Sequence, residues 1–158
     1  MIEVKDGPRI LKFDGEEIGF STSERPGADR WIEFTLYKTS GDGKYILARV
    51  GVSNLFHTPE CRVARRGYLP EAPRSGLAEG RVPCQECRPD QTDFPIVCIE
   101  QDKTWARVFN VPEAVLGGLM KHDEFGDQYL TAVARRLIED ASEADDGIAT
   151  AYRVETVT

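Results

Sequence analysis

The sequence predicts an α+β fold: an antiparallel β-sheet, two C-terminal helices and an inserted module. Three observations carry that prediction. Residues 9–52 hold short runs of aromatic and β-branched side chains separated by turn signals, the pattern of antiparallel strands. Residues 110–141 place apolar side chains three and four apart, the period of an amphipathic helix. Between them, residues 53–93 show neither period; Pro, Gly, Arg and Glu dominate. So long a stretch without periodic structure is uncommon in a compact domain, so something other than an apolar core must order it.

Taken in order, Arg9-Ile10-Leu11-Lys12-Phe13 leads into Asp14-Gly15, read as a turn, and then into Glu17-Ile18-Gly19-Phe20. Residues 21–29 carry Ser, Pro and Gly and read as a loop. In Trp31–Tyr37, Ile32, Phe34 and Leu36 share one face, and Trp31, Glu33, Thr35 and Tyr37 the other. Ser40-Gly41-Asp42-Gly43 is a turn, and residues 45–52 return as the partner strand, so a hairpin is expected. Strands resume at Ile96–Glu100 and Trp105–Phe109. Asn110, with Glu113 three residues on, reads as the cap of a first helix whose first turn holds Pro112. Asp127 is the expected cap of a second. In that helix Leu130, Val133, Ala134, Leu137, Ile138 and Ala141 form the apolar stripe, and Arg135, Arg136, Glu139 and Asp140 face water. Residues 142–147 read as an acidic turn and residues 149–157 as a last strand.

With 158 residues and 17.7 kDa, one domain over residues 1–158 carrying a module at 53–93 is the expected organisation. Apolar residues make up 41% and charged residues 30%, which suits a packed core and not a disordered chain. No apolar run reaches the roughly 18 residues of a membrane span. Residues 1–6 (MIEVKD) have no basic start followed by an apolar stretch. A cytoplasmic protein with no membrane partner is therefore expected. Twenty basic groups against 27 acidic ones give a net charge of −7, which disfavours indiscriminate binding to a phosphate backbone. The acidity is concentrated in residues 112–158, which hold 4 basic and 10 acidic groups. Residues 57–90 are close to neutral, and Arg62, Arg65 and Arg66 lie together there, a candidate contact for nucleic acid or a partner.

The cysteines are Cys61, Cys84, Cys87 and Cys98. Without an export signal, reduced thiols are expected rather than a disulfide framework. Cys98 lies in the apolar run Pro95–Ile99 and reads as a buried core residue. The other three fall with a histidine into His57-Thr-Pro-Glu-Cys61 and Cys84-Gln-Glu-Cys87. Zinc takes four ligands from cysteine sulfur and histidine nitrogen in a tetrahedron. A two-residue gap suits a tight turn whose N–H groups reach the thiolates, and Pro59 stiffens the wider gap of the first pair. The expected metal ligands are thus His57, Cys61, Cys84 and Cys87, with zinc ordering the segment that burial cannot.

Phe56-His57-Thr58-Pro59-Glu60-Cys61-Arg62-Val63-Ala64-Arg65-Arg66, followed by Gly80-Arg81-Val82-Pro83-Cys84-Gln85-Glu86-Cys87-Arg88-Pro89, resembles the metal-binding module of the Ada DNA-repair family. Such modules also recur as small appendages on other bacterial proteins. The resemblance covers about 35 residues, and it implies a zinc-bound cysteine that accepts a methyl group from a DNA phosphotriester. Here the first ligand is His57 rather than cysteine, and the segment between the pairs is short, keeping only Ser75–Gly80 of its middle. The site therefore reads as structural zinc. The run from Leu11 to Gly15, with Trp31–Tyr37 and Lys44-Tyr45, is similar to the β-rich start of small actinobacterial proteins named for an EXLDI motif; the end of this chain lacks that motif.

Other catalytic patterns are missing. There is no phosphate-cradling glycine loop and no G-x-S-x-G elbow. His122 reads as a solvated loop residue. Pro83-Cys84-x-x-Cys87 fits the second half of the zinc-deaminase signature, but Glu60 follows His57 by three residues rather than two. Four good ligands leave no open position for hydrolysis, and only Glu60 and Glu86 are nearby bases. The expectation is a non-enzymatic zinc-binding accessory protein with no catalytic residues, recognising a protein partner ahead of nucleic acid. The alternatives are a thiolate-based methyl acceptor or other zinc enzyme, and an acidic inhibitor acting in host–virus conflict.

Overall fold

A computed structural model describes residues 1–78, 80–87 and 94–153 of the chain. The fold is α+β. The chain begins with β1 (Ile2–Asp6), β2 (Arg9–Phe13), β3 (Gly15–Thr22), β4 (Arg30–Thr39) and β5 (Tyr45–Ser53). It continues with β6 (Leu55–His57), α1 (Arg62–Gly67), β7 (Glu71–Pro73), a 3-10 turn at Arg74–Gly76, β8 (Val82–Pro83) and β9 (Ile96–Ile99). It ends with β10 (Lys103–Phe109), α2 (Pro112–Leu119), β11 (Lys121–His122), β12 (Gln128–Tyr129), α3 (Ala132–Ala144) and α4 (Asp146–Arg153). No helix among the described residues is long and apolar enough to cross a membrane.

Two compact units form. The first comprises Met1–Ser23, Ile32–Val50 and Lys103–Thr158. Its sheet runs β10-β5-β4-β3. The expected hairpin joins β4 to β5, closed by the Thr39 N–H donating to Lys44 O at 2.8 Å. Residues on β5 are buried on both faces. Tyr45 and Leu47 pack with Phe34, Leu36, Leu137, Ile138 and Ile148, while Ile46 and Ala48 pack with Val4 and Ala106. The stripe expected on α3 is the buried one: Leu137, Ile138 and Ala141 are 0% exposed. Burying a Leu or Ile side chain contributes roughly 1.5–3 kcal/mol, so this face anchors the unit.

Several local expectations are corrected. The partner of β2 is β1, with Asp6 opposite Arg9 across a turn in which Gly7 has φ +58°. The Asp14-Gly15 pair is no hairpin turn. Gly15 opens β3, and a Cβ there would sit 2.4 Å from Lys38 O, so glycine serves close strand approach. The first C-terminal helix is capped by Val111 without a side-chain bond, not by Asn110, and Pro112 stands in its first turn. The second, α3, is capped by Thr131, whose hydroxyl accepts from the Ala134 N–H at 3.3 Å. Asp127 instead belongs to the β11–β12 hairpin, where its N–H donates to Asp123 Oδ1 at 2.9 Å.

A third C-terminal helix, α4, replaces the acidic turn and the last strand expected over 149–157; residues 154–157 lie outside the described residues. The reason is Asp145. Its buried carboxylate accepts from the Ile148 N–H at 3.0 Å, the Tyr45 hydroxyl at 2.7 Å and Lys38 Nζ at 2.6 Å. It thereby caps α4 and ties it to the sheet.

The second unit comprises Glu24–Trp31 and Gly51–Asp102. It thus takes in the 53–93 segment, of which residues 79 and 88–93 lie outside the described residues, together with β9 and a stretch that ends on the first two residues of β4. Its sheet runs β7-β9-β6-β8, with β6 parallel to β8 and antiparallel to β9. The segment is therefore not structureless, but its strands are two to four residues long. Its small core gathers Cys61, Ala64, Cys87 and Cys98 with Leu69 and Cys84 around it. Arg81 Nη1 staples the sheet, donating to Ser53 O at 2.9 Å, Leu55 O at 3.3 Å and Glu100 O at 2.9 Å.

Candidate metal centre

His57 is the last residue of β6 and is 0% exposed. The turn after it is closed by the Cys61 N–H donating to Thr58 O at 3.0 Å, which brings Cys61 back to Nδ1 of the ring. Cys61 then starts α1 from an extended conformation (φ −64°, ψ 137°). The second pair is carried by β8. The Cys84 N–H donates to Phe56 O at 3.2 Å and the Cys87 N–H to Cys84 O at 3.0 Å. A strand pairing and two tight turns thus deliver four side chains to one point.

Their donor atoms all lie within 4.8 Å of one another. His57 Nδ1 is 3.5 Å from Cys61 Sγ, Cys61 Sγ is 3.9 Å from Cys84 Sγ, and Cys84 Sγ is 3.3 Å from Cys87 Sγ. A tetrahedral zinc with Zn–S bonds of about 2.3 Å needs its sulfurs about 3.8 Å apart. The group fits a metal ion of that kind. One nitrogen and three sulfurs form a soft donor set, the kind that takes zinc rather than calcium or magnesium.

The surroundings favour a thiolate at Cys87 and oppose one at Cys84. The Thr58 N–H donates to Cys87 Sγ at 3.4 Å, and the Thr58 hydroxyl lies 3.7 Å from the same sulfur. Burial raises the Cys87 thiol, but the bonds from Thr58, Cys84 and Cys61 outweigh it and leave it below its ordinary value. At Cys84 burial prevails, with the bond to Cys87 adding to it, and pushes the thiol up to about 12.

All four expected ligands, His57, Cys61, Cys84 and Cys87, are brought together. Cys98 stands outside the donor group. It packs against the same small apolar core, where burial, and then the charge of Glu71, raise its thiol. His122 is exposed on β11, 3.3 Å from the Gln128 amide. Glu60 and Glu86 are both exposed. Arg62, Arg65 and Arg66 project into solvent from α1, and none forms a salt bridge among the described residues. Arg65 and Arg66 lie in the last turn of α1, which is also a favourable place for cations beside the terminal carbonyls. Beside them Val63 is 41% and Tyr68 92% exposed.

Spacing had no means of finding Glu100. Its Oε2 is 2.7 Å from His57 Nε2, and Arg30 grips both its oxygens, Nε to Oε1 at 2.6 Å and Nη2 to Oε2 at 2.7 Å. The Arg30 guanidinium is the largest influence on the Glu100 carboxyl and, with His57, lowers it to about 2 against the opposing effect of burial. These residues lie 43 and 70 positions from Glu100 in sequence, so only the fold unites them. Thr58 was visible only as a spacer in the ligand motif.

No family model, curated protein or solved structure matches this chain.

Proposed function

We propose that the chain is a non-enzymatic zinc-binding accessory protein, with zinc holding the second unit together and α1 presenting its outer face to a protein partner. The observation that carries this reading is the closed donor group: one imidazole nitrogen and three sulfurs within 4.8 Å, at least two of the thiols and the ring buried. Four protein ligands leave no coordination position for a water or substrate, which is the arrangement of structural zinc. The unit around the site has a small core built largely of the ligands themselves, so metal supplies ordering energy that burial does not.

The outward face of α1 and the turn after it combine three exposed guanidinium groups, none of them in a salt bridge among the described residues, with exposed Val63 and Tyr68. Arginine and tyrosine are over-represented among the residues that dominate protein interfaces. The excess of acid over the whole chain, −7, favours a partner with a local acidic patch over a long phosphate backbone.

Metal content of protein purified without added zinc tests the reading, with His57→Ala and Cys87→Ala beside it. One zinc per chain, lost in both variants together with order in the second unit, is expected. Metal-free wild type with a folded second unit would sink it. A second reading, a thiolate methyl acceptor, draws on one observation: Cys84 alone of the three ligand thiols is partly exposed. Exposure of the zinc form to methylated DNA, followed by mass measurement, decides it; an unchanged mass removes that reading.

A further inference from the structure

Arg30, Glu100 and His57 form an unbroken line of hydrogen bonds that ends at the donor group. We propose that Glu100 is a positioning residue of the metal centre, holding His57 as the Nε2–H tautomer so that Nδ1 is the ligand, and that Arg30 holds Glu100 in register. The inference rests on the reading of His57, Cys61, Cys84 and Cys87 as a metal centre and assigns which ring nitrogen binds and what selects it.

A neutral imidazole carries one N–H and one lone pair, and a carboxylate can only accept. With Oε2 2.7 Å from Nε2, the ring proton belongs on Nε2. The lone pair is then on Nδ1, which faces Cys61 Sγ at 3.5 Å. The ring is 0% exposed, so bulk solvent does not reach either nitrogen. A carboxylate on the far nitrogen also raises the basicity of the ligand and fixes the plane of the ring.

Glu100 is itself doubly held. Its side chain is 14% exposed and receives the two-pronged Arg30 guanidinium, whose fork matches both oxygens. Its main chain donates to Leu55 O at 3.2 Å and accepts from Arg81 at 2.9 Å, which fastens it to the strand that ends in His57. The charges explain why an arginine is there. Three thiolates around a divalent ion already leave the centre with one net negative charge, and a second carboxylate charge nearby is tolerable only beside a cation. Arg30 supplies it. The same bond draws Glu24–Trp31, far away in sequence, into the unit that the metal orders.

The test is zinc competition against a chromophoric chelator using the full chain, wild type beside Glu100→Gln and Arg30→Gln, with nitrogen-15 NMR of His57 in the zinc-loaded protein. Glu100→Gln should still bind one zinc but 10- to 100-fold more weakly, the range seen when such partners are removed. Arg30→Gln should weaken binding in the same direction by less, and the double variant should be no weaker than Glu100→Gln alone. The wild-type spectrum should show a protonated Nε2 and a metal-bound Nδ1. If wild type takes up no zinc, the metal-centre reading itself fails. Zinc affinity within twofold of wild type in Glu100→Gln would overturn the proposal and leave the centre standing. Should that variant fail to fold, the wild-type spectrum still decides, because metal on Nε2 would overturn the assignment.

Discussion

Asp145 should be the most costly single polar residue to remove from the first unit. Its side chain is 6% exposed and receives three donors: Lys38 at 2.6 Å, the Tyr45 hydroxyl at 2.7 Å and the Ile148 N–H at 3.0 Å. Asp145→Ala strands all three. The Tyr45 hydroxyl and the Ile148 N–H in the first turn of α4 then lack partners in a buried setting, at about 1–3 kcal/mol each. Lys38 is 35% exposed and can turn to water, so its loss counts for about 1 kcal/mol. These parts sum to about 3–7 kcal/mol, and the lower half of that span, about 3–5 kcal/mol, is the expected total because it matches what breaking a buried pair costs. Asp145→Asn keeps an oxygen for Tyr45 and Ile148 but presents an amide to the Lys38 ammonium, so about 1–2 kcal/mol is expected.

Urea unfolding followed by far-UV helix signal reports this unit, because α2, α3 and α4 all belong to it. With a slope of about 2 kcal/mol per molar, the alanine variant should unfold about 1.5–2.5 M earlier. The pH dependence has a definite sign. Burial raises the Asp145 carboxyl, but the bonds from Lys38, Tyr45 and Ile148 outweigh it and lower it below the ordinary value. A depressed carboxyl stabilises fully above its unfolded value, about 4, and loses that contribution as pH falls through its folded one. Wild type should therefore lose its advantage over Asp145→Asn in acid. An alanine variant within 0.5 kcal/mol of wild type, or a gap to Asp145→Asn that acid leaves unchanged, would refute the reasoning.

Further outcomes are expected elsewhere. Stripping metal with a chelator should expose the amides of Cys84, Cys87 and Ile99 to hydrogen exchange while those of α3 stay protected; equal protection with and without chelator would contradict a metal-ordered unit. Gly19→Ala should cost about 1–3 kcal/mol, because its Cβ would lie 2.9 Å from Ala141 Cβ and 3.2 Å from the backbone of α3; a melting temperature unchanged from wild type would show that α3 sits less closely on β3. Replacing Arg62, Arg65 and Arg66 together by Glu should leave zinc content unchanged, since all three side chains are exposed, and lower melting only slightly, because Glu in the last turn of α1 opposes its terminal carbonyls. Any partner found should bind that variant at least tenfold more weakly, and unchanged affinity in a titration would remove the α1 face from the proposed function.

The ligand set was legible because its signal is local. Two short spacings hold His57 near Cys61 and Cys84 near Cys87, and a chain segment poor in apolar residues called for an ordering ion. The α3 stripe and the β4–β5 hairpin were legible for the same reason: period and turn chemistry act within about ten residues. The errors lie where a distant residue outbids a local one. Asn110 and Asp127 are competent caps, yet the chain enters its helices at Val111 and Thr131, because the packed faces of α2 and α3 set where each helix begins. Residues 149–153 alternate weakly as a strand would, but Asp145, held by Lys38 and Tyr45, caps the Ile148 N–H, and the helix that follows buries Ile148 and Ala149.

The sequence by itself determined the fold class, the strands and helices with strong periods, and the four residues whose donor atoms meet. Tertiary structure decided the rest: that β2 pairs backwards with β1, that Asp145 turns the last segment into a helix, and that Glu100 and Arg30 stand behind His57. The physical reason is range. Dihedral preference and side-chain period are properties of neighbouring residues, whereas a buried carboxylate goes wherever the folded chain brings donors within about 3 Å of it.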